Sequence, residues 1–94
     1  MPALSEAEIS KRLGSLPGWQ LKGKAIEKRF ELSSFLPAIQ FVQKVAELAE
    51  AAQHHPDIII NYNVVTLNLA THSAGGVTEK DLELASQLEK LPRG

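Results

Sequence analysis

The sequence has no cysteine among its 94 residues, which excludes a disulfide framework, a thiolate nucleophile and any cysteine-ligated metal site. Aromatic residues make up only 5 % of it, so a core must be built mainly from aliphatic side chains. Neither sign of charge dominates. Ten Lys and Arg stand against 11 Asp and Glu, and no basic run occurs, so no electrostatic nucleic-acid footprint and no direct nucleic-acid partner are expected. No apolar run approaches the ~20 residues of a membrane span. The opening MPALSEAEIS lacks the basic region and apolar core of a signal peptide, so no membrane partner is expected. These absences predict one soluble, cytoplasmic domain over residues 1–94, with chain for a single core and little to spare.

What is present is a clear alternation of periods. Ser5 with Glu8 has the form of a capping box, and Ile9, Leu13 and Leu16 follow as one apolar stripe, so a short helix is predicted, ended by Gly14 and Pro17-Gly18. Trp19 and Leu21, then Ile26, Phe30 and Leu32, alternate with polar residues and predict a hairpin turning near Lys22 to Lys24. Ser33 or Ser34 can cap a long helix carrying Pro37 in its first turn. Its apolar stripe is Phe35, Ile39, Val42, Val45 or Ala46, Ala49 and Ala52, widened by Phe41 and Leu48. From Ile58 the period is two: Ile58 to Tyr62 and Val64 to His72 are predicted strands joined by a tight turn around Asn61 to Asn63. In the second of these, Val65, Leu67 and Leu69 share the core face, which leaves His72 on the other. After Gly75-Gly76, Thr78 caps a last helix with Leu84, Ala85, Leu88 and Leu91 on its apolar face. The order predicts an α+β fold: a four-stranded antiparallel sheet with three helices on one face.

The candidate chemistry gathers around EAAQHHPD, Glu50 to Asp57. Pro56 disfavours helix at the residue before it, so His54 and His55 sit at a helix C-terminus, where carbonyls and the macrodipole favour a cationic ring. Glu50, one turn before His54, can add a carboxylate on the same face. His72 stands before the Gly-Gly loop, and Asp81 is the third position of a variant capping box begun by Thr78. The plain reading of these residues is a solvated helix cap, an exposed histidine and an N-cap. A three-histidine zinc site is disfavoured, because adjacent histidines diverge and no H-x-x-x-H spacing is present, so no metal is expected.

The spacing Glu50, three residues, His54-His55-Pro56, five residues, Tyr62, nine residues, His72, eight residues, Asp81 resembles the signature of the pterin-4a-carbinolamine dehydratases. Segments Pro17 to Leu21, Lys28 to Glu50 and Thr66 to Ala85 are similar to that family as well, with departures at Ile58, Ile59 and Val64. The resemblance implies loss of water from a 4a-hydroxytetrahydropterin to give the quinonoid dihydropterin, in tetrahydrobiopterin recycling, without cofactor. It implies catalytic His54, His55 and His72 and supporting Glu50 and Asp81. Substrate contacts are implied at His54, His55, Pro56, Thr71, His72, Ser73 and Ala74. It further implies homodimers or homotetramers joined through sheet edges, and the low-charge strand Val64 to Thr71 reads as such an edge. Two other functions stay open: a non-catalytic dimerisation or transcription-cofactor module, and action on another pterin of molybdopterin or folate metabolism.

Overall fold

The computed structural model describes residues 2–93. It contains α1 (Glu6–Leu13), β1 (Gln20–Lys22), β2 (Ala25–Glu31), α2 (Phe35–Ala52), β3 (Asp57–Asn61), β4 (Val64–Leu69) and α3 (Glu79–Glu89), with one 3-10 turn at His72–Ala74. The strands form one antiparallel sheet in the order β1-β2-β4-β3, so the architecture is the α+β arrangement that the periods predict. Ser5 caps α1 by accepting from the Glu8 N–H. Ser34 is the N-cap of α2 through its backbone, and its side chain makes no cap bond. The β1–β2 turn is Gly23-Lys24, where Gly23 takes φ +60. The β3–β4 turn is Tyr62-Asn63, anchored across the sheet by Asn63 Nδ2 donating to the Leu32 carbonyl.

One face of the sheet carries Ile26 and Phe30 from β2 and Val65, Leu67 and Leu69 from β4, all buried. Against it pack Ile9 of α1, Ala38, Phe41 and Val45 of α2, and Leu82, Leu84, Ala85 and Leu88 of α3. Each large apolar side chain in such a core contributes about 1.5–3 kcal/mol, which makes this face the main source of stability. Phe30 is the hub of the few aromatics: Phe41 lies 5.0 Å from it between centroids, and Trp19 meets it edge-on at 6.1 Å. The helix stripe is rotated from the expected one. Phe35 and Ala52, at the two ends of α2, are exposed, and burial follows 38, 41, 45 and 49, three to four residues apart. Among the described residues no helix is long and apolar enough to cross a membrane.

Two expectations about the last strand are corrected. β4 ends at Leu69 and does not reach His72, because neither neighbour continues beside it: β2 begins at Ala25 and β3 at Asp57, opposite Asn68. The chain instead closes a small loop, with Thr71 bridged to Gly76 around the 3-10 turn that His72 opens. Nor is β4 an edge. It lies between β2 and β3, and the free edge on that side is β3, whose Ile58, Ile59 and Ile60 stay substantially exposed.

A polar clasp ties the end of α3 to β2 and to the segment before β1. Glu89 of α3 accepts from Lys28 of β2 (2.5 Å), Trp19 Nε1 (3.0 Å) and Arg93 (3.2 Å), while Lys28 also donates to the Pro17 carbonyl. Gly18, at φ +86, makes room for it, since a Cβ there would lie 2.8 Å from the Lys28 chain. Burial alone would raise the Glu89 carboxyl, but the hydrogen bond and charge of Lys28, with Trp19 and Arg93, outweigh it and hold it below the usual carboxylate range. A carboxyl held low stabilises the fold above its unfolded value of ~4.3, and that contribution is lost as pH falls through the lower folded value. Glu89→Gln is therefore expected to cost about 1 kcal/mol at pH 7. In urea titrations the gap from the parent protein should narrow as pH falls below the ordinary carboxylate range.

Candidate functional site

The site is built from the end of α2, the loop after β4 and the first turn of α3. Gln53 ends α2 in the left-handed region (φ 53, ψ 41), with its N–H on the Glu50 carbonyl and the His54 N–H on the Ala49 carbonyl. A left-handed residue followed by such a bond terminates a helix by folding the chain back across its last carbonyls. Gln53 Nε2 secures the bend by donating to the Glu50 carbonyl at 2.9 Å. The consequence is divergence of the two adjacent imidazoles.

His54 turns inward, and its Nε2 lies 2.5 Å from Asp81 Oδ1 on α3. Its side chain is 12 % exposed and that of Asp81 is 0 % exposed, so this pair is largely removed from water. His55 turns back to its own helix, where its Nε2 meets Glu50 Oε2 at 2.5 Å. That second pair is open to solvent, with side chains 59 % and 71 % exposed. The expected partnership of Glu50 with His54 is thus corrected. The left-handed Gln53 takes His54 off the helical i, i+4 face and leaves Glu50 to His55.

Asp81 is both a cap and a histidine partner. Its Oδ2 accepts from the Thr78 backbone N–H (2.8 Å) and from Thr71 Oγ1 (2.8 Å), and its Oδ1 faces His54. Thr78 completes the capping box, its side chain accepting from the Asp81 backbone N–H, and it also accepts from the Lys80 N–H. A buried carboxylate is tolerated when its oxygens are satisfied in this way, and among the described residues no buried side-chain polar atom lacks a partner.

His54, His55 and His72 border one cavity of about 320 Å³, together with Gln53, Ala70, Thr71, Ser73 and Lys80. The structure therefore brings together the three histidines, Thr71 and Ser73. Glu50 and Asp81 stand behind their histidines, outside the lining, and Pro56 and Ala74 are not part of it. A second cavity of about 260 Å³ shares His54 and Lys80 and continues past Ala52, Glu83, Leu84 and Gln87. Lys80, Gln53 and Ala70 are absent from the expected set. Lys80 follows the N-cap of α3 by two residues, and a position beside Asp81 was the signal that could have found it. Gln53 offered only its place before the histidine pair. Among the described residues no three His, Asp or Glu side chains are grouped as metal ligands would be.

Fold and cavity define a small α+β domain presenting histidines, two of them carboxylate-paired, on one pocket. The model of the family described as pterin 4 alpha carbinolamine dehydratase matches residues 2–91, and the chain belongs to that family. A protein of Roseiflexus sp. (strain RS-1), provisionally named pterin-4-alpha-carbinolamine dehydratase, is 57 % identical over 88 residues, covering 94 % of this chain and 95 % of its own. The crystal structure of a transcriptional coactivator/pterin dehydratase from Brucella melitensis superposes with a TM-score of 0.87 at 39 % identity, covering 93 % of this chain and 95 % of that one. A pterin dehydratase-like protein identified as a RuBisCO assembly factor in the alpha-carboxysome is similar at a TM-score of 0.61 and 25 % identity, over 76 % of this chain and 82 % of its own.

The two histidine pairs differ in what they hold together. Asp81→Ala removes a buried charge partner and a capping acceptor at once and is expected to cost about 3–5 kcal/mol. Glu50→Gln, at an open pair, should leave stability unchanged within error. Denaturant titrations of the two variants check the contrast.

Proposed function

We propose that this chain removes water from a 4a-hydroxytetrahydropterin, giving the quinonoid dihydropterin, and so serves tetrahydrobiopterin recycling after aromatic hydroxylation. The observation that carries the reading is the cavity lined by His54, His55 and His72, with His54 backed by a buried carboxylate, in a chain of the pterin carbinolamine dehydratase family. The reaction breaks the C4a–O bond, releases the hydroxyl as water once it is protonated, and passes the N5 proton to a base. No electrons leave the substrate, and groups that exchange protons near neutrality suffice.

His54 is the acid in this reading. Its Nε2 rests on Asp81, so in the cationic ring the Nδ1 proton is the one that passes to the departing hydroxyl, leaving the neutral Nε2–H form. Among the described residues His72 has no hydrogen-bonded side-chain partner, and it borders the same cavity as His55, the two supplying the base and the contacts to the ring. Glu50 orients His55, Thr71 and Ser73 border the cavity, and Pro56 and Ala74 are further substrate contacts in this reading. A role in partner binding alone would need neither histidine–carboxylate pair, which favours catalysis over that alternative.

The same reading includes assembly through the β3 edge. Ile58, Ile59 and Ile60 carry unpaired backbone groups beside apolar side chains, and Tyr62, Phe35 and Leu36 are further exposed apolar residues. Such an edge is covered in most stable proteins, and antiparallel pairing of two β3 strands would extend the sheet across a two-fold axis.

Dehydration of 4a-hydroxytetrahydropterin, followed by absorbance with metal chelated throughout, tests the activity. The wild type should exceed the buffer rate, and His54→Ala and His72→Ala should each lower kcat about a hundredfold or more. A folded wild type no faster than buffer would end the dehydratase reading. Ultracentrifugation tests the assembly: a dimer or tetramer is expected, converted to monomer by Ile59→Lys.

A further inference from the structure

Thr78 holds more hydrogen-bonding capacity than a helix cap requires. A cap needs an acceptor, and Thr78 Oγ1 supplies one to the Lys80 N–H. Its own hydroxyl proton is left over, in a side chain of a residue with 0 % exposure. That hydroxyl lies 2.8 Å from Thr71 Oγ1, and Thr71 Oγ1 in turn lies 2.8 Å from Asp81 Oδ2.

Counting protons fixes the directions. Each hydroxyl has one proton to donate. Oδ2 already accepts the Thr78 backbone N–H, so as a carboxylate oxygen it takes the Thr71 proton too. The Thr78 hydroxyl must then donate to Thr71. The bonds run one way, from the Lys80 N–H through Thr78 and Thr71 to Oδ2, and leave Oδ1 turned toward His54 Nε2. Two donors on Oδ2 oppose rotation of the carboxylate, so Oδ1 remains the acceptor for the imidazole.

We infer that Thr71 and Thr78 are positioning residues: a one-way hydroxyl relay that holds Asp81 and thereby keeps the neutral His54 ring in its Nε2–H tautomer, with Nδ1 as the nitrogen that gains and loses the exchanging proton. The part played by Nδ1 in dehydration rests on the proposed function, whereas the tautomer does not. Thr71, bordering the cavity, is then committed inward as a donor and cannot give its proton to a substrate.

Long-range proton–nitrogen NMR of the histidine rings, on the protein without substrate, reads the tautomer directly. At a pH where the ring is neutral, the wild type should show His54 as a single Nε2–H form. Thr71→Val breaks the middle of the relay while sparing the α3 cap, and should yield two exchanging tautomers. It should also lower kcat about ten- to hundredfold with KM little changed. Thr78→Val should reproduce this, the double variant should be no worse than either single, and Thr71→Ser and Thr78→Ser should restore wild-type behaviour. A single Nε2–H tautomer retained in Thr71→Val overturns the relay, as do losses that multiply in the double variant. If Thr78→Val does not fold, Thr71→Val decides alone. A wild type without turnover removes only the kinetic comparison and counts against the dehydratase reading, while the tautomer still tests the relay.

Discussion

A carboxylate with no access to water is the constraint on which this structure turns. Asp81 must find donors inside the protein, and it finds them on three elements: the first turn of α3, the loop after β4 and the end of α2. An unpaired charge at that depth would cost several kcal/mol, so the three elements are held together by the need to satisfy it. The same acid that starts a helix therefore draws His54 out of solvent. Local capping chemistry and the architecture of the pocket are one interaction seen from two sides.

Divergence of adjacent side chains is the second requirement. Two neighbouring histidines in a helix would project about 100° apart and remain on one cylinder. The left-handed Gln53 replaces that geometry with a bend, after which His54 reaches α3 and His55 folds back on α2. One pair becomes buried and the other open, so two chemically identical side chains acquire different surroundings within one turn of chain. The sheet supplies the fixed frame, since β3 begins one residue after Pro56 and β4 ends two residues before Thr71.

Much of this was legible in the sequence, because the signals were local. Caps at Ser5 and Thr78, the hairpin turns, the 3.6-residue period of α2 and the alternation of β4 each reflect short-range physics, and each appears in the fold. Residues that border the cavity were marked by the spacing around His54 and His72. What was not legible depends on which strand lies next to which. The order β1-β2-β4-β3 puts the later strand in the middle, and no periodicity announces that. Strand alternation likewise carried β4 on to His72, because the sequence does not say where neighbouring strands run out. The partners of the histidines were misassigned for a related reason: helical spacing joins Glu50 to His54 only if the helix continues, and a left-handed glutamine gives little warning that it stops.

The double role of Asp81 has an evolutionary consequence. Its loss would unfold the first turn of α3 whether or not the pocket had any chemistry to perform, so purifying selection on folding alone would retain it. His54 has no equivalent protection, since it supplies one donor to a carboxylate that keeps two others. In a descendant that had abandoned the reaction, the acid would persist as a relic while the histidine drifted. Presence of the acid in a distant relative is thus uninformative about activity, and the fate of the imbalanced partner, the histidine, is the character to score.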